Sequence, residues 1–529
     1  MWKKDWRQQA WDQLDGMWDI LIIGGGITAA GILRRSVQEG YRTLLVEAAD
    51  FSSGTSSRSS KLIHGGFRYL RNKQFKVTRE SVHEREWLLK EASNLVTPLG
   101  FIMPYPRDAS IARQYGIGVI LYDLLAPKWK HSHLTREEIL QKSPELRSED
   151  LHGGYLYYDA AMDDSRVVLR LLGEAVAAGG VALNYTPAIR LLKDSTGDVR
   201  GAVISDRSST NLGEREVKAR VVINAAGPWS DDIRANVDAP ARLRKLRGSH
   251  LIFSRERLNL QQAVTLRHPV DHRAMFAIPW EGVTIVGTTD LDHPYPLAQG
   301  EPFTTPQEID YILAASRATF PTLQLEEADI ISTFAGLRPV INTGLADPSK
   351  ESRAHVIWEE NGLITVTGGK YTTFRLMGEQ ALRHAMPKLP NPANLSKRKR
   401  YFSPQPNEMP PSRINKTQYR YLQGRYGMDA GEMIAGSDDA ELQPIHNLPN
   451  IWAELRWAAT TGAVEHLDDL LLRRVRLGLL LPDGARADME KTRSLVQSSL
   501  GWDDARWQAE EDRYFEIYAK AYSPSPAGF

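Results

Sequence analysis

Cations, small hydroxyls and glycines crowd one stretch near the start of the chain. Residues 56–70 read Ser-Ser-Arg-Ser-Ser-Lys-Leu-Ile-His-Gly-Gly-Phe-Arg-Tyr-Leu. Small residues expose the backbone and let a loop lie close to a cofactor, while the cations attract an anionic ligand beside it. The stretch therefore predicts a loop next to a redox cofactor and an anionic substrate, which are the two components of an oxidoreductase site.

The elements that must position this loop lie just before it. Residues 19–23 predict a short buried strand, and residues 24–31 a glycine turn that enters a helix reaching about Gln38. Residues 43–46 predict a second buried strand, which ends at Glu47. This strand, turn, helix, strand and acid form the unit of a Rossmann-like α/β dinucleotide-binding fold.

Each position in this unit has a chemical reason. Gly24 permits the tight turn, and Gly26 lets the backbone approach a pyrophosphate. Ile27 and Thr28 open the helix, whose N-terminus offers free N–H groups to that pyrophosphate. Glu47 follows about 20 residues later, where a carboxylate accepts a hydrogen bond from a ribose hydroxyl and repels a 2′-phosphate. The spacing predicts dinucleotide binding, disfavours NADP, and leaves FAD and NAD open.

Two later strands break into small residues in the same manner. One covers residues 221–224 and the other residues 363–367, and the second leads through a Gly-Gly pair into a helix start. Such strand ends let backbone approach a cofactor, and the helix start can point N–H groups at an anion or a flavin ring. The residues predicted to bind the cofactor there are Ala226, Gly227, Gly369, Lys370 and Thr372.

Composition limits the class of protein. A length of 529 residues indicates about two or three domains. Lys and Arg number 66 against 65 Asp and Glu, so net charge gives no argument for a nucleic-acid partner, and we predict none. The absence of cysteine excludes disulfides and cysteine-ligated metal centres in this chain, and we predict no metal site.

Beyond the first unit, the pattern changes twice. Residues 274–280 and 283–290 predict a second, β-rich sheet inserted into the first domain, and the pattern beyond about residue 410 is helical. Within that helical part, residues 467–477 predict an amphipathic helix. No apolar run approaches the length of about 18 residues that a membrane-spanning helix requires. Residues 116–130 are apolar and end in Lys-Trp-Lys, which leaves both a buried helix and a membrane-interface segment open.

Together these motifs resemble the FAD-dependent glycerol-3-phosphate dehydrogenases, within the D-amino-acid-oxidase-like flavoproteins. The resemblance covers roughly residues 15–500, and the Ser-Ser-Lys-Leu-Ile-His-Gly-Gly stretch is its most specific part. The matching segments are 24–27, 54–70, 224–229, 245–250, 287–290, 336–339, 352–353, 368–373 and 471–474.

The resemblance implies a fold and a division into domains. It implies a discontinuous Rossmann-like FAD-binding domain, an inserted β-rich cap domain that binds substrate, and a C-terminal helical domain. The predicted boundaries are 17–75, 150–242 and 330–388 for the first domain, 76–149 and 243–329 for the second, and 400–525 for the third.

The resemblance also implies a reaction. Family members oxidise sn-glycerol 3-phosphate to dihydroxyacetone phosphate by hydride transfer from C2 to FAD, and a membrane quinone then takes the electrons. We therefore expect FAD as cofactor and peripheral association with the inner, cytoplasmic face of the cell membrane. The candidate membrane surfaces are residues 117–129 and the basic linker 397–400. A homodimer is compatible with the resemblance.

Site residues carry over by position. Ser57, Ser59, Lys61, His64 and Gly65 match the loop that lines FAD in the family.

The substrate residues match in the same way. Arg68 and Arg353 match positions that hold the substrate phosphate, and Tyr69 adds a hydroxyl. Arg338 resembles the residue that meets the substrate hydroxyl, and Lys370 can stabilise negative charge in the same place. His250 is the predicted proton acceptor by its side-chain type, although sequence leaves the identity of this base open.

Three alternatives remain open at this stage. A glycerol-3-phosphate oxidase would pass the electrons to oxygen and release hydrogen peroxide, but such relatives carry a long insertion after the Arg-Pro motif, and here Arg338 and Arg353 lie close together. An amine oxidase of the same fold would not need Arg68, Arg338, Arg353 and Lys370 to converge. A flavoprotein kept only for binding would not need the full set of cations.

Overall fold

The predicted strand, glycine turn, helix and second strand all form in a computed structural model of the chain. The structure describes residues 2–66, 75–125, 131–297, 300–346, 351–392, 394–395, 397–405 and 410–525. The first strand is Met17–Ile23, the helix is Ile27–Gln38 and the second strand is Thr43–Val46, so this local prediction is confirmed.

Eighteen strands are assigned within the described residues. They are β1 (Met17–Ile23), β2 (Thr43–Val46), β3 (Leu62–Ile63), β4 (Val96–Pro106), β5 (Ser132–Thr135), β6 (Leu151–Met162), β7 (Val181–Leu183), β8 (Ala188–Lys193), β9 (Val199–Ser205), β10 (Glu214–Asn224), β11 (Leu243–Ser254), β12 (Ala263–Arg267), β13 (Ala274–Trp280), β14 (Val283–Gly287), β15 (Leu291–Asp292), β16 (Ile330–Ile341), β17 (His355–Glu360) and β18 (Leu363–Gly368).

The α-helices of the described chain fall between these strands and after them. They are α1 (Trp6–Asp12), α2 (Ile27–Gln38), α3 (Phe75–Glu91), α4 (Ala109–Leu125), α5 (Arg136–Lys142), α6 (Asp164–Ala177), α7 (Ser230–Arg234), α8 (Pro306–Thr319), α9 (Phe374–Ala385), α10 (Lys416–Tyr426), α11 (Asp429–Ala435), α12 (Ala453–Thr461), α13 (Leu477–Leu480), α14 (Met489–Leu500) and α15 (Asp504–Ala521).

The first sheet has a parallel centre in the order β18-β10-β1-β2-β7. All four residues of β2 are buried, as expected for a parallel sheet covered on both faces. Because parallel strands end at one edge, the segments after β1, β2, β10 and β18 meet there. This edge carries Gly24, Glu47, Ala226 and Gly369.

The second sheet faces that edge. Its order is β15-β11-β14-β13-β12-β4-β6-β3, with β16 paired to β11 and β5 to β6. Its pairs are antiparallel except for β4 with β12. The strands β3, β6 and β16 fall within ranges predicted for the first domain, but they pair in this second sheet. β16 runs antiparallel to β11 along most of its length, β6 pairs with β4, and β3 pairs with β6.

The helices from α12 onward pack against the second sheet. Ile252, Trp280, Ile285 and Phe334 of that sheet share one buried cluster with side chains of α12 to α15. Residues 467–477, predicted as an amphipathic helix, contain a π-helix at Asp469–Arg474 that is buried throughout.

The amphipathic prediction was wrong about the charged face. Arg473 and Arg474 do not reach solvent, because both pair with the buried carboxylate of Asp50 at 2.5 and 2.6 Å. Asp50 lies in the segment after Glu47, so these ion pairs connect the C-terminal helices to the nucleotide edge of the first sheet.

Candidate active site

The turn between β1 and α2 can only be made by glycine at position 24. The φ of Gly24 is +120°, and a Cβ there would lie 2.6 Å from the carbonyl oxygen of Ala225. The Gly24 N–H donates to the Val46 carbonyl at 2.8 Å, which holds the turn against β2. The Ile27 N–H donates to Ser56 Oγ at 2.9 Å, so the loop after β2 lies against the start of α2.

Glu47 follows β2 and is held by two backbone groups. Its Oε2 accepts from the Gly25 N–H at 2.5 Å, and its Oε1 accepts from the Ala49 N–H at 2.9 Å. Enclosure raises the pKa of Glu47, and the two hydrogen bonds oppose that rise because they favour the ionised form. The carboxylate is thereby fixed at the carboxyl edge of the sheet.

A single cavity of about 1700 Å³ runs along this edge. It passes from Glu47 and the start of α2 along the loop at Ser53–Ser60 to the residues after β18. It then continues between β4 and α4, where its wall is mainly apolar. The predicted cofactor residues that line it are Gly24, Gly26, Ile27, Thr28, Glu47, Ser59, His64, Ala226, Gly227, Gly369, Lys370 and Thr372.

A dinucleotide such as FAD fits these residues. The glycine at position 24 is required by the backbone, the start of α2 faces the cavity, and a carboxylate stands at the ribose position. Gly369 also has a positive φ of +77°, and a Cβ there would lie 2.9 Å from His355 Cβ. The helix start after β18 therefore brings backbone to the opposite end of the cavity.

Three predicted cofactor residues lie behind this wall and do not line the cavity. Ser57 is buried, and the Gly65 N–H donates to Tyr122 Oη at 3.0 Å. Lys61 Nζ donates to the Ser57 carbonyl at 2.6 Å and pairs with Asp164 at 2.9 Å. Gly65 and Lys61 form hydrogen bonds or ion pairs with other residues of the protein. The three residues therefore support the loop from behind.

The surroundings of Lys61 change the pKa of its ammonium group. Burial, followed by the nearby positive charge of Arg476, lowers the pKa of Lys61 to about 7, although Asp164 acts in the opposite direction. Its ammonium also lies 4.7 Å from the ring centre of Phe334. The residue is part of the framework under the loop.

His250, the predicted proton acceptor, also lies behind the wall. Its Nε2 is 2.8 Å from Ser60 Oγ, and its ring stacks on Phe334 with centroids 4.5 Å apart. Burial and then the positive charge of Arg338 lower its pKa well below the usual value. His250 is 1% exposed and does not line the cavity, so the geometry does not support direct contact with a substrate.

His64 lines the cavity instead. Burial, opposed by Asp159 and reinforced by the positive charges of Lys370, Arg85 and Arg338, lowers its pKa to about 4. The two imidazoles therefore differ in access, since His64 lines the cavity directly and His250 contacts it through Ser60. The sequence assigned His64 to the loop structure, and its position after β3 brings it to the wall.

Lys370 and Arg338 also reach the cavity. Lys370 Nζ donates to Ser81 Oγ at 3.0 Å and to the Gly65 carbonyl at 3.3 Å, and burial lowers its pKa well below the usual value. Arg338 Nη2 donates to Thr288 Oγ1 at 3.1 Å, and Nη1 donates to the Thr289 carbonyl at 3.2 Å. Both cations are therefore fixed by groups of the protein.

Arg353 lines the same wall. Its Nη2 lies 3.3 Å from Asp290, which also pairs with Arg338 at 3.1 Å. Arg68 and Tyr69, the other predicted phosphate residues, lie outside the described residues, as does the Lys-Trp-Lys end of residues 116–130.

Two residues at this place had no predicted role, namely Arg273, which lines the wall, and Asp290, which lies buried behind it. Asp290 was noticed only as the end of a motif, and Arg273 was not singled out. Arg273 lines the cavity and pairs with Asp290 at 3.2 Å. The available signal was a cation directly before a predicted strand, since Arg273 precedes Ala274 of β13.

Comparisons with known proteins agree with this geometry. A family model described as FAD dependent oxidoreductase matches residues 19–379, and one described as the C-terminal domain of alpha-glycerophosphate oxidase matches residues 372–507. The chain is 34% identical over 539 residues to glycerol-3-phosphate dehydrogenase 2 of Mycobacterium tuberculosis, covering 96% of this chain and 89% of that protein. It is 37% identical over 369 residues to the aerobic glycerol-3-phosphate dehydrogenase of Staphylococcus aureus, covering 68% and 66% of the two chains.

Solved structures give the same picture of the fold. The glycerol-3-phosphate dehydrogenase of Bacillus halodurans, solved with FAD, superposes with a TM-score of 0.77 at 27% identity over 100% of both chains. The L-alpha-glycerophosphate oxidase of Mycoplasma pneumoniae, also with FAD bound, gives 0.55 at 18% identity over 70% of this chain and 94% of that one. The first likeness includes the C-terminal helices as well as the two sheets.

Proposed function

Because this chain belongs to the family of FAD-dependent glycerol-3-phosphate dehydrogenases, we propose that it oxidises sn-glycerol 3-phosphate to dihydroxyacetone phosphate and passes the electrons to a membrane quinone. The observation that carries the proposal is the meeting of Arg338, Arg353, Lys370 and His64 on one wall of the cavity that also contains the nucleotide turn. FAD, bound along that turn, supplies the acceptor for the hydride that leaves C2 of the substrate.

The cations give the wall its preference for a phosphomonoester. Arg353 and Arg338 present planar guanidinium groups that can each donate two hydrogen bonds to phosphate oxygens. We assign Arg353 to the phosphate and Arg338 to the oxygen on C2, following the family positions. Arg68 and Tyr69 remain predicted phosphate ligands.

His64 is the residue that we assign to the hydroxyl proton. We assign it by position, because His64 lines the cavity together with Arg338 and Lys370. Its pKa of about 4 keeps the imidazole neutral at physiological pH and also makes it a weak base, so the nearby positive charges must assist the transfer of the proton. Arg338 and Lys370 stabilise the negative charge that develops on the oxygen as the proton leaves. The role first predicted for His250 is thereby transferred to His64, and His250 holds the loop through Ser60.

The apolar part of the cavity supports a quinone as the acceptor. Its wall includes Phe101, Met103 and Tyr105 of β4 and Ile117 and Leu121 of α4. Ile117 is 61% exposed as well, so α4 stands at the mouth of the cavity. A quinone ring takes up two electrons and two protons and is itself apolar, which suits a passage of this composition.

The outer face of α4 supports contact with a bilayer. Ile117, Ile120 and Leu124 lie on one face of the helix and are 61%, 54% and 76% exposed. The basic linker is less available than its sequence indicated, because Lys399 pairs with Glu39 and Arg400 with Glu91. None of the helices in the described ranges has the length and apolarity needed to cross a membrane.

The acceptor can be tested directly. Holoenzyme mixed with sn-glycerol 3-phosphate without oxygen should lose the visible absorbance of oxidised FAD. A water-soluble quinone analogue should then sustain turnover faster than air does. Release of one hydrogen peroxide per substrate at a rate matching the quinone rate would favour the oxidase instead, and no loss of absorbance would contradict the enzyme as proposed.

A further inference from the structure

One buried carboxylate holds three arginines at the substrate wall. Asp290 is 3% exposed, and it lies 3.2 Å from Arg273, 3.1 Å from Arg338 and 3.3 Å from Arg353. Asp290 follows β14, Arg273 precedes β13, Arg338 is in β16 and Arg353 precedes β17. Four separate segments of the chain therefore meet around the Asp290 carboxylate.

The charges at this point do not balance. A carboxylate carries one negative charge and the three guanidinium groups carry three positive charges, which leaves an excess of two. Asp292 pairs with Arg244 at 2.6 Å. Asp271 accepts from Tyr311 at 2.8 Å and also attracts Arg273, so the positive excess is smaller, but is not cancelled, when Asp271 is counted. This positive excess favours an anionic ligand such as a phosphate monoester, whose charge is about −1.5 to −2 near neutral pH.

Arg273 has a further feature that indicates a ligand. Its Nε is buried and donates no hydrogen bond within the described residues. A buried guanidinium N–H without an acceptor is costly, and Arg273 lines the cavity, where an anion would supply that acceptor.

We propose that Arg273 binds the substrate phosphate together with Arg353, and that Asp290 is a positioning residue that orients Arg273, Arg338 and Arg353 toward one anion. This inference rests on the proposed function, because it takes a phosphomonoester as the substrate. It adds a specificity determinant: Arg273 selects the phosphorylated polyol over the free one, while Asp290 keeps three mutually repelling cations within reach of one ligand.

The first experiment compares Arg273→Met with the wild-type holoenzyme. The loss of a charged hydrogen bond should raise KM for sn-glycerol 3-phosphate roughly 10- to 100-fold and leave kcat within about threefold. Calorimetric binding of inorganic phosphate should weaken to a similar degree. Arg200→Met is the matched control, because Arg200 forms a surface ion pair with Asp194 away from the cavity.

These outcomes separate the inference from the proposed function. If wild-type FAD is bleached by substrate and Arg273→Met keeps KM and phosphate affinity within twofold of wild type, Arg273 does not bind the phosphate. If wild-type FAD is not bleached at all, the proposed function fails, whereas the binding of inorganic phosphate still tests Arg273.

The role of Asp290 needs a double-mutant cycle. Asp290→Asn should raise KM and also lower kcat, because Arg338 contacts the reacting end of the substrate. The double variant with Arg273→Met should lose little more affinity than Asp290→Asn alone, since the phosphate contact is already disturbed. Additive losses, or a fall in FAD content without any change in KM, would show that Asp290 does not act through the arginines.

Discussion

Gly248 lies directly beneath the guanidinium group of Arg338, and a Cβ at position 248 would overlap that group. Gly248 is in β11 and pairs with Gly336 of β16, two residues before Arg338. The absence of a side chain at Gly248 thus leaves the space that the Arg338 guanidinium group occupies, and the catalytic role proposed for Arg338 makes this testable.

Gly248→Ala should displace Arg338 and lower kcat about 100-fold or more, as expected when a fixed cation no longer meets developing negative charge. FAD content should not change, because Gly248 does not line the nucleotide edge. Gly431→Ala is the control, since a Cβ at that position in α11 meets nothing within 4 Å. Equal kcat values for the two variants would contradict the role of Arg338.

The fall of the reaction rate at low pH (the acid limb of the pH profile) should reflect the protonation of His64. Its lowered pKa of about 4 keeps it neutral, so the limiting rate of anaerobic bleaching should stay nearly flat from about pH 7 to pH 5.5 and fall only at lower pH. An unperturbed histidine would already show a fall near pH 6.5. Stopped-flow measurements at saturating substrate separate this limb from the ionisation of the substrate phosphate.

Substitution distinguishes the two histidines. His64→Asn should reduce the limiting rate about 100-fold or more and abolish its acid limb. His250→Asn should instead weaken retention of FAD through the loss of the Ser60 contact, and its acid limb should remain. The reverse pattern would return the proton-acceptor role to His250.

Glu47 should contribute to FAD binding through its charge. Glu47→Gln keeps the shape of the side chain but replaces a charged acceptor, which is worth about 1.5–3 kcal/mol, or roughly 10- to 100-fold in FAD dissociation constant. Fluorescence titration of the apoprotein with FAD measures this change. Asp19→Asn, at the opposite end of β1, provides a control that should bind FAD like the wild type.

Local patterns predicted the nucleotide edge because its parts are close in sequence. The turn at Gly24, the helix after it and the acid at Glu47 belong to one continuous unit whose spacing is set by the fold. The ion pair between Arg273 and Asp290 had no such signal, because the two residues flank different strands that only the second sheet brings together.

Ion pairs between residues distant in sequence also explain why the burial of the arginines in residues 467–477 was not predicted. The amphipathic pattern of residues 467–477 gives no indication that Arg473 is buried, since its partner Asp50 lies 423 positions away in the chain. The preference for His250 over His64 in the sequence has a related origin, because side-chain type gives no indication of which imidazole lines a cavity. Burial of polar groups against distant partners is thus the part of this structure that sequence does not reveal.

Membrane contact should depend on the exposed face of α4. Leu124→Glu removes a side chain whose burial in a bilayer is worth about 1.5–3 kcal/mol, so cosedimentation with liposomes should fall about tenfold or more. Turnover with a membrane quinone should fall with it, while turnover with ferricyanide, which takes only electrons, should not. Met428→Glu is the control, because Met428 is 59% exposed in the C-terminal helical part. Equal cosedimentation of both variants would exclude this face of α4 as the docking surface.

The buried ion pairs of Asp50 with Arg473 and Arg474 should contribute strongly to the free energy of unfolding. Arg474 binds Asp50 through two hydrogen bonds of 2.6 and 2.7 Å, and Arg474→Met removes one partner of a buried pair, which costs about 3–5 kcal/mol. Arg493→Met, which breaks an exposed pair with Asp504, should cost less than about 1 kcal/mol.

The same ion pairs predict how the free energy of unfolding changes with pH. The arginines lower the pKa of Asp50 against the effect of its burial, so its contribution to the free energy of unfolding is present above the unfolded value of about 4. That contribution is lost as the pH falls through the lower folded value, because Asp50 must then be protonated beside two cations. Thermal unfolding followed from pH 7 to pH 3 should therefore show a smaller acid-dependent decrease for Arg474→Met than for the wild type. A parallel decrease in both proteins would show that Asp50 and Arg474 do not form the stabilising pair.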